Sequence, residues 1–258
     1  MSNSLKPTVL IVHGSWHAPA HYEPLGRRLE ERGYNVFCPP LPSWHADPRA
    51  TTLRADADAI EQALKKLVED EQRHVVVVAH SYGGIVASEA VKASYGRKER
   101  AVEGKEGGVL HIVYMCAIVV EEGKSLVDQW GPLPKALPET LICSRTDGAT
   151  AFFNDVAKDE LERGQYVQKL VRGSVKPDIF PTTYAAYKHY PVTYILCTED
   201  NVWPYKACQE VAVRDILVKN GAVVAEKILR SGHSPFITLP GEVAEFVDEI
   251  VEATSLDR

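Results

Sequence analysis

The chain has 258 residues, 45% of them hydrophobic and 25% charged, with 29 Lys and Arg against 35 Asp and Glu for a formal net charge of −6. This is ordinary globular composition, enough for one α/β domain, and an acidic balance without a basic patch or zinc-finger spacing excludes nucleic acid as an expected partner. No run approaches 18 apolar residues and no apolar segment precedes the first strand, so no membrane association is expected and the expected compartment is the cytoplasm.

In chain order, Thr8-Val9-Leu10-Ile11-Val12 predicts a buried strand that ends at His13-Gly14. Residues 21–32 read as a helix with Leu25 and Leu29 on one face and Gly33 closing it. Val36-Phe37-Cys38 is a short strand stopped by Pro39-Pro40. Residues 52–69 carry Leu53, Ala57, Ile60, Leu64, Leu67 and Val68 at helical spacing. A strand over 75–79 and a helical stretch from Ile85 to Val91 follow. Residues 96–108, charged and Gly-rich, read as a solvated surface loop. Leu110 to Val120 predicts a buried strand, 192–197 the next and 222–229 the last. The helix over 205–219 stops at Asn220-Gly221, and the final helix starts near Pro240 with Val243, Phe246, Val247, Ile250 and Val251 on one face. This alternation implies a mostly parallel central sheet with helices on both faces. Residues 121–190, rich in Pro and aromatics, interrupt it and are expected to form a cap inserted over the C-terminal edge of a core made of 1–120 and 191–258. The cysteines Cys38, Cys116, Cys143, Cys197 and Cys208 are odd in number, widely spaced and without a C-x-x-C, the usage of free thiols in a reducing compartment.

The run Val75-Val76-Val77-Val78-Ala79-His80-Ser81-Tyr82-Gly83-Gly84 carries the chemistry. A Val-rich strand, a serine flanked by small residues and an immediate helix match the nucleophile elbow G-x-S-x-G, with Ala79 at the first glycine. The turn tolerates only small side chains two positions from the serine, and it holds Ser81 at the tip in strained backbone. A serine hydroxyl needs a base and an acid that orients the base. In the order Ser, acid, His, the chain offers Asp200 in Cys197-Thr198-Glu199-Asp200, with Glu199 as its adjacent rival, and His233 in Gly232-His233-Ser234-Pro235. An oxyanion hole needs two backbone N–H donors, expected from Tyr82 and, after the first strand, from Ser15 beside Gly14. His13, His17 and His21 repeat every four residues, but Gly14 and Pro19 interrupt any helix that would align them, so no metal site is expected. Gly14, Trp16, His17 and Trp130 are the expected pocket residues, with His80 packed beside the elbow and His45 a loop residue near the pocket mouth.

With these segments in place the chain resembles the α/β-hydrolase superfamily along nearly its whole length. More narrowly it resembles the small capped serine esterases that include plant methylesterases, hydroxynitrile lyases and their fungal and bacterial relatives. The resemblance rests on Val9 to His17, Val78 to Gly84, Thr193 to Asp200 and Gly232 to Pro235. It implies an α/β-hydrolase fold, Asp200 rather than Glu199 as the acid, a cap, and hydrolysis of small esters without a cofactor. It departs from the lyases, which carry a hydroxyl-bearing residue in place of Gly14 and a lysine in place of Ser234, so cyanohydrin cleavage is not expected. Ser81 at the elbow excludes the dehalogenase and epoxide-hydrolase branches, which need aspartate there.

The expected activity is hydrolysis of a small carboxylic ester or lactone through an acyl-enzyme on Ser81. Acyl transfer, cyclisation or carbon–carbon bond cleavage would use the same machinery on a small ester, lactone or thioester. A small-molecule receptor on a hydrolase scaffold is the alternative of another class.

Overall fold

The computed structural model describes residues 6–44, 52–131, 140–141, 145–156, 160–171, 173–174 and 176–256; Met1 to Leu5, His45 and Cys143 lie outside them. Its strands are β1 (Thr8–Val12), β2 (Asn35–Phe37), β3 (His74–His80), β4 (Gly108–Met115), β5 (Thr140–Leu141), β6 (Gly173–Ser174), β7 (Val192–Cys197) and β8 (Val224–Leu229). Six of them form one all-parallel sheet in the order β2-β1-β3-β4-β7-β8, while β5 and β6 make a small antiparallel pair. The helices are α1 (Glu23–Glu31), α2 (Leu53–Lys65), α3 (Gly83–Ala90), α4 (Arg97–Val102), α5 (Leu126–Trp130), α6 (Arg145–Ala151), α7 (Glu160–Lys169), α8 (Pro235–Thr238) and α9 (Pro240–Leu256). A π-type helical stretch, Tyr205–Gln209 and Ala212–Val218, precedes β8. Among the described residues no helix is long and apolar enough to cross a membrane.

The continuous apolar strands are buried on both faces, and their residues divide with a period of two. Leu10, Val75, Val77, Ile112 and Tyr194 join Ile60 and Leu64 of α2 and Val86 of α3 in one core. Val9, Ile11, Val76, Val78 and Ile195 join Leu25 and Leu29 of α1 and Val243 and Val247 of α9 in the other. Helix α2 starts where predicted because the Thr52 hydroxyl accepts the Ala55 N–H at 3.2 Å. The strand order turns at β1, which lies between β2 and β3, and so opens a crevice beyond the carboxyl ends of β1 and β3.

Two expectations are corrected. The strand expected to reach Val120 ends at Met115, because Cys116 takes a left-handed φ of 37° and the chain turns so that the Ile118 N–H reaches the Ser81 carbonyl at 2.9 Å. Residues 117–120 are apolar because they pack around that turn, not because they extend the ladder. The expected solvated loop at 96–108 contains α4, and its Arg100 is only 5% exposed. The Arg100 guanidinium donates to the carbonyls of Val68 and Glu106, so one charged residue of that run satisfies buried backbone. Within 121–190, Ala185, Ala186, Tyr187 and Tyr190 belong to the main core against α3. Cys38, Cys116, Cys197 and Cys208 are free thiols.

Two predictions follow from this packing. A Cβ on Gly83 would fall inside van der Waals distance of the Val12 carbonyl. Gly83→Ala is therefore expected to lower the unfolding free energy by about 1–3 kcal/mol, measured by urea denaturation. His111 of β4 is buried, its Nε2 paired with Thr193 Oγ1 at 2.9 Å, and burial pushes the imidazole down to about 4. Its depressed value means that, from pH 6.5 down to about 4, the unfolded chain binds a proton there that the folded chain does not, so stability is lost as pH falls. His111→Gln should reduce that acid loss by up to about 1.4 kcal/mol per pH unit, read from urea midpoints across the window.

Candidate active site

Ser81 ends the β3–α3 turn at φ 53° and is 6% exposed. Its backbone is held on both sides: the Ser81 N–H donates to Met115 O at 3.3 Å and its carbonyl accepts from Ile118 and Gly84, each at 2.9 Å. Gly83 and Gly84 press against the backbone of Val12 and Ile118, and a Cβ on Gly14 would lie 2.8 Å from His80 Nδ1 and 2.9 Å from Ser81 Cβ. Small residues at these positions thus let the loops after β1, β3 and β4 close around one hydroxyl.

Asp200 follows β7 and His233 follows β8. His233 Nδ1 and Asp200 Oδ2 are 2.7 Å apart, and both side chains are fully buried. The other carboxylate oxygen of Asp200 accepts the N–H groups of Val202 and Trp203 at 2.7 and 2.8 Å. Gln209 Nε2 donates to Oδ2 at 3.1 Å while its Oε1 accepts the Cys197 N–H. Glu199 turns the other way, 43% exposed and paired with Arg230 at 2.6 Å. His233 Nε2 is buried with no hydrogen-bond partner among the described residues. Such a nitrogen, held in one tautomer by the carboxylate at Nδ1, is free to take a proton.

The N–H groups of Ser15 and Tyr82 donate to no other group among the described residues. Tyr82 opens α3, and its hydroxyl is anchored on Asp56 Oδ2 at 2.7 Å. Asp56 in turn accepts the Ser43 N–H at 2.9 Å.

Trp16, at φ 61°, packs its ring 5.1 Å from Trp44 and 5.6 Å from Phe152. Phe152 continues to the His233 ring at 5.8 Å. Trp130 lies 4.7 Å from Trp203, on the loop that carries Asp200, and donates from Nε1 to Val119 O. His17 is fully buried among Phe152, Phe153, Phe236 and His80, and burial holds its imidazole well below the ordinary value. His13 and His21 engage both ring nitrogens with backbone groups, His13 with Gly14 O and Leu41 N–H, His21 with Ala18 and Tyr166. The three histidines therefore do not converge on a common point. Ligand atoms of His80, Cys116 and His233 lie within 4.8 Å of one another, but both nitrogens of His80 and Nδ1 of His233 already have protein partners.

Sequence reasoning did not anticipate Asp155 or Gln209. Asp155 Oδ2 accepts the Gly232 N–H at 2.6 Å and the hydroxyls of Ser231 and Thr238 at 3.0 and 3.1 Å, and Asn154 donates to Glu199 O. Residues 152–155 therefore join the His233 loop to the Asp200 loop. No spacing signal marks a single acidic residue that bonds a loop 77 positions away.

A model of the alpha/beta hydrolase family matches residues 9–246. The chain is similar to the alpha/beta hydrolase nvfD of Aspergillus novofumigatus, 32% identical over 94% of this chain and 96% of that one. It is also similar to the probable hydrolase R7 of a Phoma species, 28% identical over 95% of this chain and 98% of that one. Among solved structures, a polyneuridine aldehyde esterase mutant superposes with a TM-score of 0.71 at 18% identity, covering 95% of this chain and 98% of that one, a likeness of fold.

Asp155→Ala removes the acceptor of three hydrogen bonds and is expected to lower the unfolding free energy by about 2–3 kcal/mol. Asp155→Asn, which keeps one acceptor oxygen, should cost less, both read by urea denaturation.

Proposed function

This chain belongs to the alpha/beta hydrolase family of enzymes, and on that premise we propose that it is a serine hydrolase cleaving a small carboxylic ester or lactone. The observation that carries the reading is the fully buried His233–Asp200 pair at 2.7 Å, its Nε2 left open, in the same closed cluster of loops as the strained turn at Ser81. In this mechanism Ser81 Oγ attacks the acyl carbonyl while His233 Nε2 takes its proton. Asp200 holds the imidazole and stabilises its protonated form. The N–H groups of Ser15 and Tyr82 receive the developing oxyanion, an interaction whose loss typically costs about 10²–10³ in rate. His233 then gives its proton to the leaving alkoxide, water enters, and the same imidazole activates that water to release the acid and free Ser81.

The ring series Phe152, Trp16 and Trp44 beginning beside His233 supports an apolar or aromatic substrate group. Residues 121–190, which supply Phe152 and Trp130, act in this reading as the cap. The esterase named among the structural neighbours is consistent with ester chemistry.

A fluorophosphonate probe tests this directly, with the adduct located by intact mass and peptide mapping. A single adduct at Ser81 is expected, forming at least about 10²-fold more slowly in Asp200→Asn and His233→Ala. An unlabelled Ser81, or equal rates in the variants, contradicts the proposal.

A further inference from the structure

Behind the proposed site lies a buried hydrogen-bonded chain that the mechanism above does not use. The Gly14 N–H donates to the Tyr22 hydroxyl at 3.0 Å. Tyr22 Oη lies 2.7 Å from His80 Nδ1, and His80 Nε2 lies 2.9 Å from the His233 carbonyl. Tyr22, His80 and His233 are all buried.

The protons in this chain have one consistent order. A backbone N–H only donates, so Tyr22 accepts from Gly14 and its single hydrogen goes to His80 Nδ1. A backbone carbonyl only accepts, so the His80 proton is on Nε2 and points at His233. Every donor meets an acceptor, with His80 neutral. The groups around His80 favour that state: burial and the imidazoles of His233, His13 and His21 all oppose a positive charge on it.

The chain also answers a mechanical problem. β8, which leads to His233, is three strands from β3, which leads to Ser81, a lateral separation of about 14 Å. Among the described residues no ladder bond ties the His233 loop to the elbow, Asp200 holds only the imidazole, and besides His80 the Cys116 thiol meets the His233 carbonyl at a longer 3.4 Å. His80 ties the backbone of His233 to the residue preceding the nucleophile. At the other end, the Gly14 carbonyl accepts from His13 Nδ1 at 2.9 Å and from the His17 N–H at 3.3 Å. In a trans peptide the Ser15 N–H points opposite that carbonyl, so fixing Gly14 on both sides fixes the direction of the Ser15 N–H.

We propose that Tyr22 and His80 are positioning residues for the Ser81 reaction, a proton-ordered strut that holds the His233 loop and the Gly14–Ser15 peptide in register. The inference rests on the reading of Ser81 as the nucleophile, and its test separates the two.

Nitrogen-15 NMR of the histidine-labelled protein, with His80 assigned by its loss in His80→Gln, is expected to show a neutral imidazole protonated on Nε2. A proton on Nδ1, or a doubly protonated ring at neutral pH, overturns the proposed order. In kinetics with an alkyl fluorophosphonate, Tyr22→Phe should slow the saturating rate of Ser81 labelling by up to about 10²-fold, with the half-saturating concentration within about twofold of wild type. His80→Gln, which retains an N–H for the His233 carbonyl, should label faster than His80→Met, which fills a similar volume without a donor, a difference that general loosening of the core would not produce. Wild-type labelling with an unchanged rate in folded Tyr22→Phe, or equal rates in the two His80 variants, overturns the strut and leaves the nucleophile reading intact. No Ser81 adduct in wild type overturns that reading, whatever the His80 tautomer.

Discussion

Ser81 stands at φ 53°, a left-handed backbone that costs a non-glycine residue about 1–3 kcal/mol. Such a residue persists only where its surroundings over-determine it. Here the sheet does so: β3 lies between β1 and β4, Met115 and Ile118 bond the Ser81 backbone, and Gly83 and Gly84 let the helix start against the end of β1 and the turn after β4. Cys116 adopts a second left-handed turn at φ 37° because the chain leaving β4 must bend to make that bond. The small residues and the early end of β4 therefore serve one local geometry, the strained turn at Ser81.

The second demand is electrostatic. Two polar side chains from the loops after the neighbouring strands β7 and β8 are removed completely from water at Asp200 and His233. An ionised carboxylate is retained in such a place only when its lone pairs are occupied. Asp200 meets this with two backbone N–H groups, the Gln209 amide and the imidazole. The Asp155 carboxylate performs a similar service for the Ser231–Gly232 backbone, drawing residues 152–155 onto both loops. A parallel sheet delivers these loops to one edge, but side-chain hydrogen bonds between loops hold them there.

Much of this was legible in sequence. The apolar runs located five of the six sheet strands within a few residues: β1, β3 and β7 are buried on both faces, which demands Val, Ile and Leu irrespective of detail, while the half-exposed edge strands β2 and β8 were marked by shorter β-branched runs and the turn residues around them; the exception in length was β4. The Ala79-His80-Ser81-Tyr82-Gly83 turn was legible because its geometry restricts residue types. Asp200 and Glu199 are chemically alike and adjacent, so composition could not separate them; the structure turns one toward His233 and the other toward Arg230. Arg100 was read as solvated because a charged run looks the same whether or not one member reaches buried carbonyls. Tyr22 sits in a stretch that reads as a helix carrying Leu25 and Leu29 on one face, and His80 reads as packing beside the elbow. The role proposed for them lies in proton direction, which depends on partners 58 and 153 residues away.

The account is tested most directly by a crystal structure of the protein after reaction with a fluorophosphonate. The phosphorus should be bonded to Ser81 Oγ, with one phosphonyl oxygen about 2.7–3.1 Å from both the Ser15 and Tyr82 nitrogens and the Asp200–His233 pair intact. A phosphonyl oxygen turned away from those two N–H groups, or phosphorus on any other residue, would contradict it.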